Sequence, residues 1–93
     1  MNALRDGGRI RSAVELAALI REGKLEPSAV TEDCLRRIDA TQSNLNAFVT
    51  VCAELAQRDA SAAERGSSSL ALRGVPFTVK DNIETAGVRT TFG

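Results

Sequence analysis

The sequence contains no histidine, no tryptophan and no tyrosine, and its only aromatic residues are three phenylalanines. Without histidine, a Ser-His-Asp or Cys-His catalytic site within the chain is excluded, as is a zinc site that needs imidazole. Three phenylalanines offer no stacking platform for bases, and twelve basic against twelve acidic residues give no broad basic surface. We therefore predict no metal, no cofactor and no direct contact with nucleic acid.

Cysteines and long apolar runs are also scarce. Cys34 and Cys52 are the two cysteines and have no C-x-x-C spacing, so we predict reduced, partly buried thiols on two helices. No apolar run approaches the roughly 20 residues that span a bilayer. The N-terminal apolar stretch is interrupted by Glu15 and lacks a small-residue cleavage site. We expect a cytoplasmic location, no membrane contact, and one small domain at most from 93 residues.

The first predicted helix covers residues 12–23. Ser12 followed by Glu15 is a capping-box pattern, in which each side chain satisfies a free amide of the first turn. Gly23 supplies a left-handed stop.

Two further helices follow from similar local signals. The second begins at Pro27, which suits a first helical position, and is expected to end in the polar cluster "DATQSN" at residues 39–44. The apolar, β-branched segment "LNAFVTV" at residues 45–51 predicts a strand or an extended segment. The third helix covers residues 53–65, an alanine-rich stretch that stops at Gly66.

Beyond that helix the hydrophobic period changes from 3.6 residues to 2. Val75, Phe77 and Val79 alternate with other residues and predict a strand with one apolar face, after which Gly87 marks a turn. An isolated strand would expose unpaired backbone groups, so its sheet partners are expected elsewhere. The fold class is therefore α/β and incomplete in this chain.

The composition divides the chain into three parts. Residues 1–65 form an N-terminal helical segment, residues 66–73 a Gly/Ser-containing linker, and residues 74–93 the start of a core.

Lys80 is the candidate catalytic residue, because it ends the apolar strand and is followed at once by Asp81. A solvated lysine at a strand end is the simplest interpretation. A lysine is a base only when neutral, which requires the ordinary pKa of about 10.4 to fall to about 7 through roughly 4 kcal/mol of desolvation. Such a lysine can activate a serine directly. Asp81 would hold the proton on the ammonium, so we expect its carboxylate to point to backbone amides of the following turn.

Other lysine chemistry also remains open. Lys80 could hold a phosphate or form a Schiff base, although no G-x-x-x-x-G-K-[ST] pattern is present.

The segment "GVPFTVKDNIETAGVRTTFG" resembles the start of the core in the amidase signature family. The upstream stretch "SAVTEDCLRRIDATQSNLNAFVTV" is similar to that family's N-terminal helices. The residues that fit the core pattern are Gly74, Val75, Pro76, Phe77, Val79, Lys80, Asp81, Gly87, Thr90, Thr91 and Gly93.

The resemblance implies a mixed sheet flanked by helices, of which this chain would carry the N-terminal helices and the first core strand. It also implies a serine hydrolase that cleaves linear carboxamides through a Ser-cisSer-Lys triad, with Lys80 as the base. In the family both serines follow the lysine, whereas Ser67, Ser68 and Ser69 precede it here. We therefore expect an N-terminal fragment that is inactive alone. Its expected partners are a small amide substrate and the remainder of the core or a partner chain.

Two alternatives stay open. The chain could belong to a glutaminase-type A subunit of a tRNA-dependent amidotransferase, with the other amidotransferase subunits as partners. It could instead be a non-catalytic helical module that binds a partner, with Lys80 a structural residue.

Overall fold

The computed structural model describes residues 3–66 and 70–93, and within them three helices and one small sheet. Residues 67–69 of the predicted linker lie outside the described residues. The elements, in chain order, are β1 (Arg5–Asp6), β2 (Arg9–Ile10), α1 (Ala13–Arg21), α2 (Pro27–Leu45) and α3 (Ala53–Glu64). The result is a small mixed α/β chain.

The N-terminal hairpin was not predicted. Its two strands pair antiparallel, with Arg5 opposite Ile10 and Asp6 opposite Arg9. Gly7 takes a φ of 62° in the two-residue turn, a conformation that glycine adopts without steric cost.

Helix α1 forms as its capping signal predicts. Ser12 accepts a hydrogen bond from the Glu15 amide, and the Glu15 carboxylate accepts one from the Ser12 amide. Gly23 follows the helix with a φ of 74°. The capping box and the glycine stop are both confirmed.

Helix α2 begins at Pro27, as predicted, but it ends later than expected. The polar cluster at residues 39–44 is helical, and the helix stops only at Leu45, where Asn46 takes a left-handed φ of 46°. The expected end was wrong because this cluster lies on the surface, and the Thr41 hydroxyl donates to the Arg37 carbonyl of its own helix. These polar side chains therefore do not interrupt the backbone ladder.

Helix α3 packs along α2, and its buried contact is Ala60. The two helices are joined at one end by Glu64, whose carboxylate accepts hydrogen bonds from the amide and the hydroxyl of Ser28. Glu26 is the N-cap residue of α2, but its side chain makes no capping hydrogen bond to the first turn. A carboxylate from α3 thus satisfies a first-turn amide of α2, and these hydrogen bonds lower the Glu64 pKa, chiefly through the Ser28 hydroxyl.

The buried core lies between the N-terminal segment, α1 and the start of α2. Val30 is completely buried at its centre. Asp33, also buried, accepts a hydrogen bond from the Ala3 amide and pairs with Arg36, so the N-terminal segment is held against α2. The core cluster consists of Ala3, Leu16, Ile20, Leu25 and Val30, with Leu4, Leu19 and Val75 packed against it.

The two predicted strands do not form. Residues 46–52, which follow α2, have no regular secondary structure, so of the two alternatives for this segment the extended one applies and the strand does not. Residues 75–80 form no backbone ladder with another strand. The strand prediction at residues 75–79 was wrong for this structure because a strand needs a partner, and the described residues supply none there. Phe77 is consequently 83% exposed. None of the helices in the described part of the chain is both long enough and apolar enough to cross a membrane.

The cysteine prediction is met in part. Cys34 lies half-buried on α2, and burial raises the pKa of its thiol. Cys52 is the exposed N-cap residue of α3. Both are thiols.

Candidate functional site

The segment that carries Lys80 is docked on the helices at its start. Gly74 has a φ of 81°, and a Cβ atom built there would lie 2.5 Å from Cγ of Pro27 and 3.3 Å from Cδ1 of Ile20. Next to it, the Arg73 guanidinium donates to the Ala63 carbonyl of α3. Only a glycine allows this close approach, which fixes the point where the segment leaves the helical body.

Beyond Lys80 the chain closes into a loop at Asp81. One carboxylate oxygen accepts the Thr91 amide at 2.8 Å, and the other accepts the Gly93 amide at 3.1 Å together with the Thr91 hydroxyl. The Asp81 carbonyl also accepts the Phe92 amide at 2.9 Å. Gly87, with a φ of 78°, forms the predicted turn in the middle of the loop. The end of this loop, at residues 91–93, is therefore hydrogen-bonded back to Asp81, its first residue.

These hydrogen bonds stabilise the ionised form of Asp81. The Thr91 hydroxyl, followed by the amides of Thr91 and Gly93, holds the pKa of the Asp81 carboxyl below its ordinary range, and Arg89 adds a smaller electrostatic effect. The carboxylate points to backbone amides, as the sequence predicted, although these amides are ten and twelve residues away in the chain.

Lys80 lies exposed on the wall of a cleft of about 600 Å³. Among the described residues, no carboxylate lies within ion-pair distance of its ammonium group. The Lys80 carbonyl accepts the Ile83 amide at 3.0 Å, so the chain turns directly after the lysine. The residues that line the cleft are Ala47, Phe48, Val49, Thr50, Thr78, Val79, Lys80, Asp81, Ile83, Thr85, Val88, Arg89 and Thr90.

Two features of this cleft were missed from the sequence. One is the wall formed by residues 47–50. This segment is held to α2 by Gln42, whose side-chain nitrogen donates to the Phe48 carbonyl and whose side-chain oxygen accepts from the Phe48 amide. The other is Arg89, a second cation in the lining. The Gln42 and Phe48 spacing carries no recognised motif, so this contact had no usable sequence signal.

The described lining is chemically mixed, with six apolar residues, four threonines, two cations and the Asp81 carboxylate. Among the described residues that border the cleft, each hydroxyl group belongs to a threonine and none to a serine. The described part of the chain also holds no group of three or more metal-ligating side chains. The described lining can present a lysine amine to a bound molecule, but it contains no serine that could act as a nucleophile.

Comparison with known proteins identifies related chains. A family model described as Amidase matches residues 29–93. The A subunit of the mitochondrial glutamyl-tRNA(Gln) amidotransferase of Ornithorhynchus anatinus is 40% identical over 81 residues, covering 83% of this chain and 15% of that protein. An acylamidase of Rhodococcus erythropolis is 38% identical over 86 residues, covering 88% of this chain and 18% of its own length.

A bacterial relative gives a similar result. The corresponding A subunit of the glutamyl-tRNA(Gln) amidotransferase of Thioalkalivibrio sulfidiphilus is 42% identical over 87 residues, which cover 89% of this chain and 18% of that protein. The chain thus spans less than a fifth of the length of these relatives. No solved structure matches it.

Proposed function

Because this chain belongs to the Amidase family, we propose that the complete protein hydrolyses the carbon–nitrogen bond of a linear carboxamide. Lys80 is the base of a Ser-cisSer-Lys triad. Residues 74–93 begin the catalytic core, and the helical segment at residues 1–65 packs against it, with residues 66–73 as the linker.

The proposed chemistry runs through one acyl-enzyme. The neutral amine of Lys80 takes a proton from a bridging serine, which takes one from the nucleophilic serine as that oxygen attacks the amide carbonyl. Backbone amides stabilise the oxyanion. The carbon–nitrogen bond then breaks, the departing nitrogen receives the proton, and ammonia or an amine leaves. Water hydrolyses the resulting ester and restores the serine.

The orientation of Asp81 is the observation that carries the proposal. A carboxylate that paired with the adjacent ammonium would favour its charged form and suppress its action as a base. Here that carboxylate is occupied by Thr91 and Gly93, so Lys80 is left facing the cleft without an acidic partner in the described residues.

The serines of the triad come from outside these 93 residues. The described residues of the cleft lining include threonines and no serine, and the relatives extend well beyond the aligned region. We therefore propose that the isolated chain binds no substrate productively and releases no ammonia. Its exposed apolar residues, including Phe77, pack against the remainder of the core or a partner chain.

Ammonia release by the complete protein tests the role of Lys80. A short aliphatic amide and glutamine serve as substrates. Lys80→Ala is expected to lower kcat by at least about a thousandfold, since a base that activates a nucleophile is lost. Lys24→Ala removes the other lysine of the chain, which forms a surface pair with Glu22, and should leave turnover unchanged. Near-normal turnover by Lys80→Ala would refute the assignment and favour a non-catalytic partner-binding module.

An amidotransferase A subunit is the second candidate, because two of the relatives described above carry that name at 40% and 42% identity. In that case glutamine is the amide hydrolysed, and the partners are the other amidotransferase subunits and their charged tRNA. A strong preference for glutamine over the aliphatic amide, increased by partner subunits, supports this candidate. Turnover of the aliphatic amide alone supports the stand-alone amidase. A cytoplasmic location stays a prediction in both cases.

A further inference from the structure

We propose that Asp81 and Thr91 are positioning residues that keep the carboxylate next to Lys80 turned away from the Lys80 amine. This inference rests on the proposed function and goes beyond it, because it assigns a role to two residues outside the proposed triad. Within the described part of the chain, Thr91 supplies two of the three hydrogen bonds that the Asp81 carboxylate accepts. We call the hydrogen-bonded pair of Asp81 and Thr91 the latch, because it holds the Asp81 carboxylate away from the Lys80 amine.

The position of Asp81 makes the latch necessary. Asp81 is the immediate neighbour of Lys80 in the chain, so rotation of its side chain would bring an anion to the ammonium. Thr91 lies ten residues further along, and its amide and its hydroxyl each donate to a different oxygen of the Asp81 carboxylate. A carboxylate engaged by two or more donors is strongly favoured in that orientation.

The latch also shapes the loop around the lysine. Asp81, Ile83, Thr85 and residues 88–90 border the cleft, and the hydrogen bonds to Thr91 and Gly93 close the loop that contains them. Opening the latch would let this wall move and would displace Lys80 relative to a bound amide. Small displacements of a catalytic group reduce rates by one to two orders of magnitude.

Few other charges compete in this region. Besides Lys80, the charged side chains that border the cleft are Asp81 and Arg89. Arg89 acts in the opposite direction from a carboxylate, since a nearby cation disfavours an ammonium. Glu84 is in the same loop but does not border the cleft and makes no hydrogen bond among the described residues, so it serves as the matched control.

The test is the pH dependence of kcat/KM for ammonia release by the complete protein. Thr91→Val removes the hydroxyl and leaves the backbone amides of residues 91 and 93 as donors to Asp81. The carboxylate is then held less firmly away from Lys80, so the acid limb should move to higher pH by about one unit. Thr91→Ser restores the hydroxyl and should restore the wild-type limb. The double variant Asp81→Asn with Thr91→Val has no carboxylate to release. It should keep the wild-type limb while kcat/KM falls about 10- to 100-fold.

Three controls make the outcome decisive. Glu84→Gln removes one negative charge from the loop and should leave the profile unchanged. Thr91→Ala removes the same hydroxyl without a second methyl group, and replaces Thr91→Val if that variant does not fold. An unchanged acid limb in both Thr91→Val and Thr91→Ala overturns the latch, as does an upward shift that persists in the double variant. If Lys80→Ala keeps its turnover, the proposed function fails instead, so the two failures are distinguishable.

Discussion

Replacing Gly74 by alanine is expected to destabilise the chain far more than the same replacement at Gly87. Both glycines have a left-handed backbone, with φ values of 81° and 78°. They differ in their surroundings. A Cβ at Gly74 would lie 2.5 Å and 2.9 Å from two Pro27 ring carbons, whereas a Cβ at Gly87 would meet nothing within 4 Å.

The magnitude follows from these two terms. A non-glycine residue with a left-handed backbone costs about 1–2 kcal/mol at either position. Overpacking against a proline ring, which cannot rotate away, adds about 1–3 kcal/mol at Gly74 alone. Gly74→Ala should therefore lower the free energy of unfolding by about 2–5 kcal/mol, and Gly87→Ala by about 1–2 kcal/mol. For a domain of this size, each 1 kcal/mol lowers Tm by about 4–8 °C.

Urea and thermal unfolding, followed by circular dichroism at 222 nm, measure the two variants side by side. Because the backbone penalty is common to both, the difference between them reports the contact of Gly74 with Pro27. Equal losses of stability in the two variants would show that Gly74 does not dock on the start of α2, which would contradict the point at which the Lys80 segment leaves the helices.

Three further changes test other parts of the structure. Ser12→Ala removes the cap of α1 and should lower the free energy of unfolding by about 1 kcal/mol in urea titrations; no change would exclude the capping box. Arg9, followed by the Ser12 amide, lowers the pKa of Glu15 to about 2 from an ordinary 4.5. The ionised Glu15 carboxylate therefore stabilises the folded state fully above pH 4.5, and this contribution is lost as the pH falls through about 2. Glu15→Gln should flatten the fall of Tm over that range, and an unaltered fall would contradict the ion pair. Cys52 is exposed and Cys34 is half-buried with a raised pKa, so a maleimide should label Cys52 first; faster labelling of Cys34 would argue against its burial.

The helices could be predicted from sequence because their signals are local. Ser12 and Glu15 cap α1 within one turn, and Pro27 opens α2 at the position that tolerates a missing amide. The end of α2 could not be predicted in this way, because the polar cluster at residues 39–44 lies on the surface and destabilises the helix little. The stop depends instead on the left-handed backbone of Asn46.

The strand at residues 75–79 and the N-terminal hairpin could not be predicted correctly from local sequence. Alternating apolar residues at 75–79 indicate a surface that a sheet could bury, but a ladder forms only when another strand is present. The Gly7–Gly8 pair is a known hairpin signal, yet it lies between charged residues without apolar alternation, so the pattern did not stand out. Sheet formation depends on partners that a local window does not contain.

The site was predictable in chemistry and not in geometry. Lys80 next to Asp81 raised the question of where the carboxylate points, because a Lys80 that acted as a base would need that carboxylate to point away from its ammonium. That Thr91 and Gly93 are the donors depends on how the intervening loop closes. The contribution of residues 47–50 to the cleft likewise depends on packing between distant parts of the chain.

Formation of the acyl-enzyme is the most direct measure of whether Lys80 activates a serine. The complete protein is mixed with an activated amide, such as an anilide, quenched in acid within milliseconds and analysed by intact mass spectrometry. The wild-type protein should gain the mass of one acyl group in a burst, and Lys80→Ala should show no burst while Lys24→Ala matches the wild type. A burst of normal size and rate in Lys80→Ala would contradict the assignment of Lys80 as the base.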